Sequence, residues 1–369
     1  MPSPKHATTE GTARYAERFK DRAAKNHFRQ QQGLTLSSIG IGTYLGNPDE
    51  STDVAYANAV ARAVTSGVNV IDTAANYRFQ RSERSIGQAL KTLVTGGFSR
   101  EELVICTKGG YLPFDGALPT NMREYVEETF VKPGIASFDD IVGSHCMTPS
   151  YLQNQLDQSL RNMDLESVDV YYVHNPESQL DHVSEKEFYH RLRLAFERLE
   201  QNRKEDKLQF YGVATWNGFR SVVDSGKPHS LVRMIEIAHE VGGESHGLRF
   251  IQLPLNLAMP EALTLANEII DGEEVSVLEA AHRLGVTVMA SGSMLQGRVA
   301  RGLPDPVRQA LGSLSTDAQS AIQFVRSAPG ITTSLVGMSR VEHVDENLRL
   351  VEVEPLTNEQ LRTLFGGKE

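Results

Sequence analysis

Four polar residues stand at or just past the ends of short apolar runs: Asp72 closing VNVID, Tyr77 in the connection that follows, Lys108 closing VICTK, and His174 closing VYYVH. A phenol titrates near ~10, too high for ready proton exchange at neutral pH. A neighbouring ammonium favours the phenolate, and a carboxylate beside that ammonium keeps it charged and aimed. Tyr77 with Lys108 and Asp72 at its side would be a general acid, able to protonate a carbonyl oxygen as hydride arrives at carbon. His174 could donate a hydrogen bond to the same oxygen. No side chain supplies hydride, so such a site needs an external donor. Singly, each residue has a plainer role: Asp72 a turn or helix cap, Tyr77 a rim aromatic, His174 a hydrogen-bonded core histidine. Lys108 is harder to dismiss, because an ammonium at a strand end needs a counter-charge.

The elements that must position these residues alternate. The strands expected are SIGIGT, VNVIDTA, ELVICTKG, DVYYVHN, LQFYGVAT, RFIQLPL, TVMASGS and TTSLVGM, with helical patterns such as DVAYANAVARAVTSG, SERSIGQALKTLV, PSYLQNQLDQSLRNM and EVSVLEAAHRLG between them. Ser82, Thr148 before Pro149, and Thr316 read as helix caps, and Gly67, Gly242 and Gly285 as helix ends. Strands alternating with helices predict parallel βαβ units, and eight of them predict a closed TIM (β/α)8 barrel. In that fold the C-terminal strand ends form the active-site face, which would gather all four residues. Residues 111–148 form a long connection rich in aromatics, expected to be ordered and to lie over the mouth. HFRQQQGLTLSS reads as a hairpin turning at Gly33, and residues 1–26 as a polar, partly disordered extension preceding a single domain over 27–369.

The bulk numbers narrow the partners. A net charge of −10 in 369 residues argues against non-specific nucleic-acid binding. No apolar run is long enough to cross a bilayer, the first residues lack a secretory core, and two cysteines make no disulfide framework. A cytoplasmic protein with a small-molecule substrate is the expectation; oligomeric state is not readable.

The order and placement of IGIGT, IDTAANY with SERSIGQAL, ICTKGG, VDVYYVHNP and the late SLVGMSRVEHVDENL resemble the aldo-keto reductase superfamily, from about residue 27 to about residue 350. The resemblance implies that the hairpin closes the barrel floor and that Asp72, Tyr77, Lys108 and His174 are the catalytic tetrad. It also implies an NADP(H) site. Gly337, Ser339, Arg340, His343, Glu346 and Asn347 match the stretch that grips the adenosine end, where a helix start and an arginine suit phosphate. Ser291, Ser293, Leu295 and Arg298 match the pyrophosphate stretch, Gln252 the nicotinamide face, and Gly42 and Thr43 the first strand's end. Arg340 and His343 could meet a 2′-phosphate; His343 stands where many relatives have Arg or Gln, so NAD(H) stays open.

Departures are visible too. The family's Ser-Asn pair for the carboxamide is Ala214-Thr215 here, with Trp216 and Asn217 next, and Ala290 stands where many members stack an aromatic. RFQR lengthens the loop after Tyr77. Some family members are cofactor-sensing partner subunits with little turnover, which is one alternative; a barrel lyase using Lys108 as Schiff-base nucleophile is another. His145 and Cys146 lack zinc-site spacing and read as loop residues, His239-Glu240 lacks the H-E-x-x-H pattern, and RKEDK at 203–207 reads as a solvated face.

Overall fold

The structure, a computed structural model, describes residues 4–221 and 229–364. Its centre is a closed barrel of eight parallel strands: β1 (Ile39–Gly42), β2 (Val70–Asp72), β3 (Val104–Gly109), β4 (Val168–His174), β5 (Leu208–Ala214), β6 (Leu248–Pro254), β7 (Thr287–Ser291) and β8 (Ile331–Gly337). Neighbours around the barrel follow chain order, and β8 closes on β1 through Gly337 opposite Gly42. All eight expected strands are present.

Each strand is buried on both faces, as a barrel wrapped in helices requires. Inward, Val70, Val104, Cys106, Val170, Tyr172, Phe250 and Met289 fill the barrel; outward, Ile71, Ile105, Tyr171, Val213 and Ile251 pack under the helices. The hairpin Phe28–Gln31/Leu34–Ser37 turns at Gln32-Gly33, both with positive φ, and buries Leu34 and Leu36 in the same cluster as the inward side chains. Burying such side chains is worth about 1.5–3 kcal/mol each, so the hairpin is a plug rather than an ornament.

The N-terminal extension is tied to the same end. A helix over Thr9–Glu17 is capped by Thr8, Tyr15 donates to the Val64 carbonyl at 2.5 Å, and the Ala7 amide donates to buried Asp169 at 2.5 Å. Residues 1–3 lie outside the described residues.

Local details differ from expectation where tertiary contacts win. The helix Arg81–Thr95 starts after Gln80, which is left-handed, while Ser82 donates to the Thr43 carbonyl instead of capping. Thr148 precedes its helix without a side-chain capping bond; Thr316 does cap, accepting from the Gln319 amide. Gly243 rather than Gly242 takes the positive φ after its helix. EVSVLEAAHRLG is not one helix: Glu273–Ser276 pairs with Ala266–Ile270 around Asp271-Gly272, and only Val277–Arg283 is helical, capped by Ser276. The long connection 111–148 is ordered around its own small core of Val126, Phe130, Ala136, Cys146 and Tyr151.

Candidate active site

Asp72 ends β2, Lys108 lies near the end of β3 and His174 ends β4, so parallel register places all three at one rim. Lys108 is fully buried, and its ammonium donates to Asp72 Oδ2 at 2.6 Å and to the Thr73 carbonyl at 2.7 Å. The Tyr77 hydroxyl is 3.4 Å from the same nitrogen, and the tyrosine ring meets the His174 ring at 5.8 Å between centroids. The second Asp72 oxygen accepts from Gln252 Nε2 at 2.8 Å. Gln252 was assigned to the cofactor from sequence; its hold on Asp72 needed the fold to be seen.

Burial pushes the Asp72 carboxyl above its ordinary value, and Lys108 pulls it back. Burial also works against the charged Lys108, but Asp72 and then Tyr77 outweigh it, and the lysine ends raised. Both carboxylate oxygens accept hydrogen bonds, which favours the ionised pair against the cost of burial. The ammonium taken alone would bring Tyr77 below its ordinary value, which is the expectation from sequence. Instead burial raises the Tyr77 hydroxyl, and Lys108 offsets that only in part. Tyr77 therefore holds its proton at neutral pH, the state a general acid needs. Burial, followed by Lys108 and His145, drives His174 well below the usual imidazole value, so it is neutral.

Tyr77, His174 and Asp72 open on a cavity of about 720 Å³. Of the residues singled out in sequence, Gly42, Thr43, Thr215, Gln252, Ser291, Ser293, Leu295, Gly337, Ser339 and His343 line that cavity as well. Arg298, Arg340, Glu346 and Asn347 are not among its lining residues. Arg340 is exposed just before the helix Val341–Asn347, Asn347 is buried with an unpaired Oδ1, and the Glu346 carbonyl accepts from Gln319 at 2.6 Å. Ala214 lines the cavity; Ala290 is buried. Thr215 Oγ1 and His174 Nδ1 are buried without a hydrogen-bond partner among the described residues. Buried orphans beside a cavity are what a polar ligand would satisfy, so the lining fits a large group with hydrogen-bonding functions.

Two tyrosines form the aromatic side of the cavity: Tyr111 belongs to the long connection expected over the mouth, whereas Tyr44 was not singled out in sequence. Tyr111, from the long connection, packs edge-on against His174 at 5.1 Å, and Tyr44 against Tyr77 at 4.9 Å. Both follow strand ends, which was the available signal. His145, read as an ordinary loop residue, donates from Nε2 to the His174 carbonyl at 2.7 Å, while its Nδ1 accepts from Gln179 at 3.1 Å.

The loop after Tyr77 holds three consecutive non-glycine residues in left-handed backbone: Arg78, Phe79 and Gln80, with φ of 48°, 58° and 69°. Such conformations cost on the order of 1–2 kcal/mol per residue, so surrounding contacts must impose them.

Residues 38–234, more than half of the chain, match the model of the Aldo/keto reductase family. A putative voltage-gated potassium channel subunit beta of Schizosaccharomyces pombe is 25% identical over 366 residues, covering 94% of each chain. An NADH-specific methylglyoxal reductase of Escherichia coli is 30% identical over 146 residues, 38% of this chain and 39% of that protein. Among solved structures, an aldo/keto reductase from Klebsiella pneumoniae in complex with NADP and acetate superposes with a TM-score of 0.61 at 19% identity, covering 92% of this chain and 94% of the other. The glycerol dehydrogenase of Gluconobacter oxydans gives 0.63 at 18% identity, covering 93% and 95%. With the barrel, the rim geometry and the family match in agreement, the chain belongs to the aldo/keto reductase family.

Proposed function

We propose that the protein is an oxidoreductase that reduces an aldehyde or ketone to an alcohol, with NADP(H) as redox partner. The observation that carries this reading is the Lys108 ammonium, 2.6 Å from Asp72 and 3.4 Å from the Tyr77 hydroxyl at the cavity wall. The bound nicotinamide would supply hydride. Thr215, Ser291, Ser293, Leu295, Gly337, Ser339 and His343 would hold the cofactor, together with Gly42, Thr43 and Gln252, and Thr215 Oγ1 is free to bond an amide. His343 and the nearby Arg340 favour a 2′-phosphate; solved relatives carry NADP or NADPH in two cases, while the named bacterial reductase is NADH-specific.

In this reading Tyr77 gives its proton to the carbonyl oxygen, and the phenolate left behind is stabilised by Lys108. Asp72 keeps the lysine charged and turned toward Tyr77, and neutral His174 orients the oxygen. The Schiff-base alternative fits poorly, because a raised, carboxylate-paired ammonium is a weak nucleophile. A cofactor-binding partner subunit is the second reading, favoured by the 25% identity to a channel beta subunit over nearly the whole length. Loss of NADPH absorbance with a panel of reactive aldehydes separates the two. Turnover abolished by Tyr77→Phe supports the reductase; tight NADPH binding with no turnover on any carbonyl supports the subunit.

A further inference from the structure

The strained stretch after Tyr77 has a cause on its other side. The Arg78 side chain is almost wholly buried, yet its guanidinium reaches across to the connection that follows β1. Nε donates to the Asn47 carbonyl at 2.9 Å and Nη2 to the Asp49 carbonyl at 3.3 Å, while Nη2 also pairs with the Asp53 carboxylate. The guanidinium stacks over Tyr56 at 5.3 Å, and the Tyr56 hydroxyl donates to the Leu45 carbonyl at 2.5 Å. Leu45 and Tyr44 form an exposed wall of the cavity, and Tyr44 lies edge-on to Tyr77. The following residues are pinned from the opposite side: Phe79 accepts from the Gly116 amide at 2.9 Å, and Gln80 donates to the Phe114 carbonyl at 3.2 Å.

We propose that Arg78 is a positioning residue for Tyr77: by clamping residues 44–49 to the first turn of the helix Glu50–Val64 it holds the phenol against Lys108 and fixes the Tyr44–Leu45 wall. This rests on the reading of Tyr77 as proton donor. Backbone that L-residues avoid returns to β or right-handed conformations once its restraints go. Tyr77 is joined directly to that backbone, and a 3.4 Å contact tolerates little displacement before proton transfer suffers. A planar fork can serve two carbonyls and a carboxylate at once, whereas an ammonium cannot reproduce that geometry.

Arg78→Ala and Arg78→Lys are compared with the parent and with Tyr77→Phe. Three quantities are read: kcat with a reactive aldehyde, NADPH affinity from quenching of Trp216, the only tryptophan and a cavity residue, and the pH profile of kcat. In Arg78→Ala, kcat falls by about tenfold to hundredfold, as for a misplaced catalytic group. NADPH affinity stays within about twofold, and Arg78→Lys recovers only part of the loss, with a pH profile of kcat that still differs from the parent's. A kcat within about twofold of the parent in either folded variant overturns the proposal, as does a kcat loss matched by an equal loss of NADPH affinity. Arg78→Lys keeps the charge and the aliphatic stem, so it carries the test alone if the alanine variant does not fold. Full turnover in Tyr77→Phe would instead remove the underlying reading, whatever Arg78 does.

Discussion

Replacing Asp72 by Asn removes one charge from the centre of the site and keeps its shape. Both neighbours of the carboxylate are donors, Lys108 at 2.6 Å and Gln252 at 2.8 Å. Asparagine offers one acceptor and one donor, but rotation of the Gln252 amide would restore that second bond. What is lost is therefore the charge facing a fully buried ammonium. Removing one partner of a buried pair costs about 3–5 kcal/mol, and the retained hydrogen bond to Asn puts the loss near the lower end. Over 369 residues the unfolding entropy is about 0.8 kcal/mol/K, so ~3 kcal/mol lowers Tm by about 4 °C. Activity should fall further than stability implies. Without Asp72 burial dominates Lys108, its proton leaves more easily, and Tyr77 loses its cationic neighbour. Loss of that assistance predicts kcat down by about 10²–10⁴. The pair also sets a pH window. Lys108 is raised in the folded protein, so its stabilisation is complete below the unfolded value near ~10.4 and fades as pH rises through the folded value. The gap in Tm between parent and Asp72→Asn should accordingly narrow in strong alkali. Thermal unfolding and steady-state turnover of NADPH with a reactive aldehyde test this together. Turnover within about tenfold of the parent with unchanged Tm would refute the reasoning.

Two further outcomes are expected. Gly212→Ala in β5 should abolish stable folding or cut stability by more than the ~1–3 kcal/mol of ordinary overpacking, because a Cβ there runs into the Phe250 carbonyl across the barrel wall; circular dichroism melts would show it, and a near-parental Tm would contradict the barrel register. Acid should destabilise the protein through His27 and His145, whose pKa values burial lowers to about 4. A depressed histidine keeps its full contribution above the unfolded value near ~6.5 and loses it as pH falls toward the folded one, about 2 kcal/mol each at pH ~5. Urea midpoints across that range should drop, and the slope should flatten in His145→Gln.

Much of the site was legible because strand ends in a parallel barrel share one face, so four polar residues at three strand ends and one loop could be joined without coordinates. The hairpin turning at Gly33 was legible from its own local chemistry. The hairpin turning at Asp271-Gly272 carried the same signal but was masked by the helical pattern that follows it. What could not be read depends on contacts distant in sequence. Gln252 meets Asp72 from the far side of the barrel, His145 meets the His174 carbonyl from the long connection, and Arg78 meets Asp53 from the loop that RFQR lengthens. The direction of the Tyr77 shift was misjudged for a related reason: the ammonium was visible in sequence, but the burial that outweighs it was not.

The most direct test of the account is a single-turnover measurement on Tyr77→Phe with NADPH and a reactive aldehyde. The ring and its contacts with Tyr44 and His174 are kept, and only the hydroxyl facing Lys108 is removed. Hydride transfer slowed by about 10²-fold or more, with NADPH still quenching Trp216 as in the parent, is the predicted result. Hydride transfer at the parental rate would contradict the assignment of Tyr77 as proton donor.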